Sequence, residues 1–152
     1  MLYKLLFTIL TYAASTGTLL LSGTVAVVND IVITPSNNTT LNILSGEVAK
    51  NVGSVAETSN NVLGYKIYMY SNNAGELQHT GDNSKKTTYQ VSYGGGSYVT
   101  PPLVGSPVQV KNVSSLSGLT TNNSTVLVNV TAYASAISGT YTDTITFSIV
   151  AN

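Results

Sequence analysis

The stretch at residues 139–152 has the clearest alternation of apolar and polar residues in the chain. Ile145, Phe147 and Ile149 occupy odd positions, and threonine or serine fills the even positions from 142 to 148. Successive side chains of a β-strand point to opposite faces. The pattern therefore predicts a half-buried strand with the three apolar residues on one face, and we expect the other strands to pack around it.

A second alternating stretch covers residues 19–33. Its odd positions are apolar apart from Gly23 and Asn29, so its period is two rather than that of a helix. The stretch is much longer than the usual strand of ~5–6 residues. It therefore indicates either two consecutive strands or one strand with an extension beyond the domain, and Pro35 ends it.

Short apolar runs separated by Gly-, Asn- and Pro-rich turns fill the chain between these two stretches. No segment combines a helical period with capping residues. Further strands are predicted at 39–44, 52–58, 63–70, 77–80, 87–93, 97–99, 108–110 and 125–133, with a polar loop at 112–123. Many short strands at regular spacing predict an all-β fold, an antiparallel β-sandwich.

Composition narrows the class of protein. The chain has 152 residues, no cysteine and only 8% charged residues, and its six lysines balance six acids. That length suits one domain, and 43% hydrophobic residues argue against disorder. Zero net charge and the lack of arginine argue against a nucleic-acid partner. The abundance of Thr, Ser, Asn and Tyr favours a β-rich secreted or surface protein.

Residues 1–15 have the features of a signal peptide: Lys4, an apolar run at 5–14, and small residues at 13–15. A second candidate cleavage site follows Ala26. An uncleaved membrane anchor is the alternative, but Gly17, Gly23 and several threonines make a poor membrane helix. We therefore expect a signal peptide at 1–15, an N-terminal extension with the first strand at 16–34, and a β-sandwich domain at 35–152. No membrane span is expected after cleavage.

The sequence offers little for catalysis. His79 is the only histidine, and a Ser-His-Asp arrangement through Asp82 lacks a nucleophile-elbow motif. The acids are scattered without calcium-loop or zinc-ligand spacing. We predict no enzymatic activity, no metal and no cofactor, with a small hydrolase around His79 as the remaining enzymatic hypothesis. Tyr68 and Tyr70 share one strand face and are candidates for stacking on sugars, although packing within the sheet explains them as well.

The chain resembles bacterial chaperone–usher pilins, and more closely the spore coat protein U and archaic-pilus branch, through LSGTV at 21–25 and GTYTDT at 139–144. The resemblance implies an immunoglobulin-like sandwich that lacks one strand and is completed by the N-terminal extension of another subunit. It implies an acceptor groove lined by Ile145, Phe147 and Ile149. The donor residues that it implies are Leu19, Leu21, Gly23, Val25 and Val27.

The chain departs from that family in lacking cysteines and in having Ala151, not an aromatic residue, at the penultimate position. Its linker between donor and domain is short, and cleavage after Ala26 would remove the donor. Whether the extension pairs in cis or in trans is left open.

The sequence and the resemblance together predict a secreted structural subunit of a pilus-like fibre or coat. It would assemble with like subunits by β-strand donation, with a periplasmic chaperone and an usher as further partners. The expected location is the cell surface or the medium, reached through the periplasm. The alternative is a monomeric extracellular binding module that holds glycans with Tyr68 and Tyr70.

Overall fold

The computed structural model describes residues 13–37 and 39–152, and this part of the chain folds into strands without any helix. The predicted antiparallel β-sandwich is confirmed. No helix in this part has the length and hydropathy that crossing a bilayer requires. The strands are β1 (Asn29–Pro35), β2 (Glu47–Ser59), β3 (Tyr65–Ser71), β4 (Glu76–His79), β5 (Asp82–Tyr93), β6 (Val108–Val113), β7 (Thr120–Val130), β8 (Tyr141–Thr142) and β9 (Ile145–Ala151).

Two sheets form the sandwich. The larger has the order β1-β2-β7-β5-β4-β8 and the smaller has the order β6-β3-β9, with antiparallel pairing between neighbours. Alternate residues of each strand fill the space between the sheets, because the side-chain period of a strand is two. The centre of this core is β3, whose Tyr65, Ile67 and Met69 are completely buried. Burial of a side chain the size of Ile67 contributes about 1.5–3 kcal/mol to folding.

The last alternating stretch forms two strands rather than one. β8 pairs with β4 in the larger sheet, whereas β9 pairs with β3 in the smaller sheet. The crossing point is Asp143, whose carboxylate accepts hydrogen bonds from the amides of Asn73 (3.0 Å) and Thr144 (2.7 Å). In β9 the predicted facing is confirmed, since Phe147 is buried and Thr144, just before the strand, is exposed.

Several strand predictions are confirmed with shifted ends, but three segments differ. Residues 39–44 form a loop, because the Asn42 side chain accepts the Ser45 amide (3.1 Å) and closes a local turn. Residues 97–99 form only an isolated bridge. The predicted loop at 112–123 overlaps the end of β6 and the start of β7. In β7 the Thr121 hydroxyl is hydrogen-bonded to the Thr58 hydroxyl of β2 (2.8 Å). β7 in turn ends at Val130, short of the predicted 133.

The side of the sandwich at β6 is closed by a segment that joins the two sheets. Val99 exchanges two backbone hydrogen bonds of 2.9 Å with Val91 of β5. A few residues later, the Pro102 carbonyl accepts the Ser71 amide of β3 at 2.8 Å. Pro101 between them is buried. The segment at 99–103 therefore covers the core on this side.

Candidate functional site

The side of the sandwich at β9 has no such cover among the described residues. β9 pairs with β3 in an unbroken register, and the flanking bonds Asn152 N to Gly64 O and Asn72 N to Thr144 O are both 3.1 Å. These bonds fix the phase of the antiparallel ladder, in which only alternate residues bond to a given neighbour. The even residues of β9 thus bond to β3. The N–H and C=O groups of Ile145, Phe147 and Ile149 point to the open edge.

β1 presents a second open edge next to it. The bonds Asn60 N to Val28 O (3.3 Å) and Ser36 N to Val52 O (3.0 Å) flank the β1–β2 ladder. By the same phase argument, the backbone groups of Ile31 and Ile33 point away from β2. We call the region between these two open edges the β1/β9 seam.

The seam is narrow. Cα atoms of β1 and β9 approach within 8 Å of each other. Hydrogen-bonded strands are ~4.8 Å apart, so a strand paired on both sides needs about 10 Å between its neighbours. An added strand would therefore have to pair with β9 and push β1 outward.

Apolar side chains line the seam. Phe147 is buried and its ring contacts the Tyr93 ring, with 5.2 Å between centroids. Ile145 and Ile149 on either side of it are only half-buried, as is Ile31, and Ile33 is 50% exposed. The structure thus brings the three predicted acceptor residues together on one open-edged strand, where a further apolar strand would bury them more fully.

The predicted donor residues lie in the N-terminal extension, defined here as residues 13–28, which belongs to no strand. Leu21 is 82% exposed and Val25 88%, and an added Cβ at Gly23 would meet no atom within 4 Å. Leu19 and Val27 are exposed as well. Among the described residues, the hydrogen bonds between the extension and the domain lie near its C-terminal end, at Ala26 and Val28, and the apolar side chains before them are exposed. Most of the predicted signal peptide lies outside the described residues.

A buried polar cluster, which the sequence did not reveal, joins the two sheets inside the sandwich. Glu57 of β2 is completely buried, and its carboxylate accepts the Tyr65 hydroxyl (2.6 Å) and Lys111 Nζ (2.7 Å). Ser124 Oγ (2.7 Å) and the Tyr93 hydroxyl donate to its other oxygen. We call these five residues the Glu57 cluster. It links β2, β3, β5, β6 and β7.

The charges of the Glu57 cluster follow from these contacts. Burial raises the pKa of the Glu57 carboxyl, but the hydrogen bonds it accepts, that from Lys111 above all, outweigh burial and hold the pKa below its ordinary value of 4.5. Burial and the bond to Glu57 raise the pKa of Tyr65 to about 12, and burial raises that of Tyr93 too. The cluster therefore holds a carboxylate, an ammonium group and neutral phenols, an arrangement that fixes structure.

His79 serves a turn rather than a proton relay. The amides of Gly81 (3.1 Å) and Asp82 (3.0 Å) both donate to its Nδ1, which leaves the proton on Nε2, 3.2 Å from the Ser138 carbonyl. The Asp82 carboxylate is bonded to Ser84. The Ser-His-Asp arrangement considered from the sequence is therefore not formed. The described residues contain no group of three or more His, Cys, Asp or Glu that could hold a metal ion.

Tyr68 and Tyr70 lie on the outer face of the smaller sheet and are half-buried. In the register of β3 and β9, Tyr68 is opposite Ser148 and Tyr70 is opposite Thr146. The two rings therefore share a surface bordered by hydroxyl groups.

Comparison with known proteins gives no identification. No protein-family model matches the chain, and no curated protein matches it either.

Proposed function

We propose that the protein is a secreted structural subunit of a bacterial surface fibre or coat, and that it assembles by β-strand donation. The extension of one subunit would lie along β9 of the next. The observation that carries this proposal is the presence, among the described residues of one chain, of an exposed apolar segment with strand-like alternation and an open strand edge lined by half-buried apolar side chains. Strand addition of this kind takes affinity from backbone pairing and specificity from alternate side chains.

The strand order supports an immunoglobulin-like sandwich with one strand missing. In such folds, strands A, B, E and D form one sheet and C, F and G the other. The series β1-β2-β7-β5 corresponds to A-B-E-D, and β3-β9 corresponds to C-F, with β6 as an additional strand beyond β3. The missing G strand would lie next to β9. That is the edge at which Ile145, Phe147 and Ile149 are open.

Donation between subunits also accounts for a polymer. The extension and the seam are different surfaces, so their contact is heterologous and does not use up the seam of the donor. Each added subunit therefore offers a new open edge, and the chain of subunits grows. We further propose a periplasmic chaperone and an usher as assembly partners, since an open edge and exposed apolar residues promote aggregation if left uncovered.

Two adjacent leucines test the proposal. In an extended segment Leu20 and Leu21 face opposite sides, and they are similarly exposed, at 89% and 82%. We expect Leu21→Asp to abolish assembly, because it places a charge against the apolar side chains of the seam, and Leu20→Asp to leave assembly intact. Particle size by light scattering and electron microscopy gives the readout. Equal assembly of the two variants, or assembly after deletion of residues 19–25, would contradict the proposal.

Glycan binding by the outer face of the smaller sheet is the second candidate function. It is favoured by the adjacent, half-buried Tyr68 and Tyr70 with Ser148 and Thr146 beside them. Aromatic rings flanked by hydroxyl groups suit sugar stacking. Loss of binding on a glycan array after Tyr68→Ala and Tyr70→Ala would support it, and an array without any signal for the unchanged protein would remove it.

A further inference from the structure

We propose that Asn60 holds the N-terminal extension in line with β1, so that the extension cannot fold into its own seam and is kept for a second copy of the chain. This inference rests on the proposed strand donation. It assigns to Asn60 a positioning role that decides between pairing in cis and pairing in trans.

The contacts of Asn60 converge on the last residues of the extension. Its Nδ2 donates to the Ala26 carbonyl at 2.9 Å, and its Oδ1 accepts the Val28 amide at 2.7 Å. Its backbone amide donates to the Val28 carbonyl at 3.3 Å, which continues the β1–β2 ladder by one rung. One residue thus binds the extension on both sides of Val27.

Asn60 is itself held firmly. It follows Ser59, which is completely buried and whose hydroxyl donates to the Asn29 side chain (2.8 Å) and accepts the Asn61 amide (3.1 Å). The Gly64 amide closes the turn on the Asn61 carbonyl at 2.8 Å. The side chain of Asn60 therefore projects from a fixed turn at the start of β1.

Pairing in cis needs a reversal at the residues that Asn60 binds. Asn29 pairs with Ser59, and Ala151 pairs with Tyr65, which lies across the same turn from Ser59. β1 thus begins at the end of the domain where β9 finishes. To reach its own β9, the extension would have to turn back beside β1 in a hairpin. The reversal would fall within 26–28, because Asn29 onward is already paired with β2 and the donor positions from Leu19 to Val25 precede it; Val27 would lie in the turn itself.

A contact that prevents the hairpin is needed because the extension meets its own domain at a higher effective concentration than it meets other subunits. A segment tethered by a short linker meets its own domain at an effective concentration in the mM range. Subunits in solution meet one another at far lower concentrations. Without a device against the hairpin, self-closure would compete with assembly.

The test compares Asn60→Ala, which removes the two side-chain bonds, with Asn60→Asp, which keeps the acceptor for Val28 and loses the donor to Ala26. Val62→Ala is the control, because Val62 is an exposed residue of the same turn. Full-length chains are dissociated in denaturant, returned to buffer and followed by light scattering, and amide exchange is measured on the monomer fraction. We expect assembly to slow about tenfold in Asn60→Ala and less in Asn60→Asp.

The decisive readout is the monomer fraction of Asn60→Ala. We expect a closed monomer in which the Phe147 and Ile149 amides are protected, a change that simple loss of stability would not produce. If Asn60→Ala assembles at the unchanged rate, or its monomer leaves these amides as exposed as in the unchanged chain, the inference is wrong while strand donation stands. If the unchanged chain itself does not assemble, strand donation fails instead.

Discussion

The two long sides of this sandwich, at β6 and at β9, differ in whether the chain covers them. On the β6 side, the segment at 99–103 joins the two sheets, and Lys111 of β6 forms an ion pair with the buried Glu57 carboxylate. On the β9 side, Ile145 and Ile149 are half-buried beside backbone groups that no described strand pairs. The contrast is therefore between a side that the chain itself covers and an edge that no described strand covers, which the proposed strand donation would fill.

The buried carboxylate of Glu57 explains why all of its hydrogen-bond partners are needed. A carboxylate without water is costly unless ion pairing and hydrogen bonds satisfy it. Among the described residues, no buried side-chain nitrogen or oxygen lacks a hydrogen-bond partner. The Glu57 cluster is therefore fully paired, whereas β9 has a strand beside it on one edge only among the described residues.

The largest effect on stability is expected at the Glu57 cluster. Glu57→Ala leaves the Lys111 ammonium and two phenols without their acceptor, and breaking a buried pair of this kind costs about 3–5 kcal/mol. Glu76→Ala is the control, because Glu76 and Lys86 form an exposed pair at 2.9 Å, worth about 0–1 kcal/mol. Urea unfolding of a variant lacking residues 19–25 measures both. Similar losses in the two variants would show that the cluster is not a structural tie.

A smaller, two-part effect is expected from proline at the end of β9. The Val150 amide bonds to β3, so Val150→Pro leaves a Lys66 carbonyl unpaired and should destabilise by about 1–3 kcal/mol. The Ala151 amide points to the open edge, so Ala151→Pro should affect stability less and slow assembly. Urea unfolding and light scattering separate the two. Equal destabilisation by both prolines would contradict the assignment of the even residues of β9 to β3 and of the odd residues to the open edge.

The smallest effect is a pH dependence. The folded pKa of Glu57 is depressed below 4.5, so its contribution to stability is complete above 4.5 and is lost as pH falls through the folded value. The phenol of Tyr65 is shifted from 10.0 to about 12, so its contribution is complete below 10 and is lost as pH rises toward 12. Glu57→Gln should flatten the acid limb of stability against pH. If stability falls at low pH in Glu57→Gln as it does in the unchanged chain, the loss of stability at low pH comes from other carboxyl groups.

The sequence predicted a structural feature correctly where the alternation of neighbouring residues determines that feature, and incorrectly where a single side-chain bond or distant residues do. The inward face of β9 follows from a period of two within seven residues, so Phe147 was placed correctly. The loop at 39–44 was misread as a strand because a single side-chain bond from Asn42 closes a turn inside a β-like pattern. The onset of β7 was missed because its residues are polar and are held by equally polar residues of β2.

The Glu57 cluster could not be predicted for a different reason. Its members come from five strands spread over residues 57–124, and each has an ordinary local context. One signal was present: Glu57 shares a strand face with Val55, which is a core position. The donor role of residues 19–27 stays a prediction. The same alternation of apolar and polar residues is found in a strand that is paired within its own chain and in a segment that pairs with another subunit.

Backbone amide exchange in β9 tests the central claim most directly. The chain without residues 19–25 is measured alone and with a synthetic peptide of residues 16–28. We expect rapid exchange at Phe147 and Ile149 in the chain alone, protection of both by about tenfold or more when the peptide is added, and little change at Ser148, which already bonds to β3. Protection of Phe147 and Ile149 that equals that of Ser148 in the chain alone, or no response to the peptide, would contradict it.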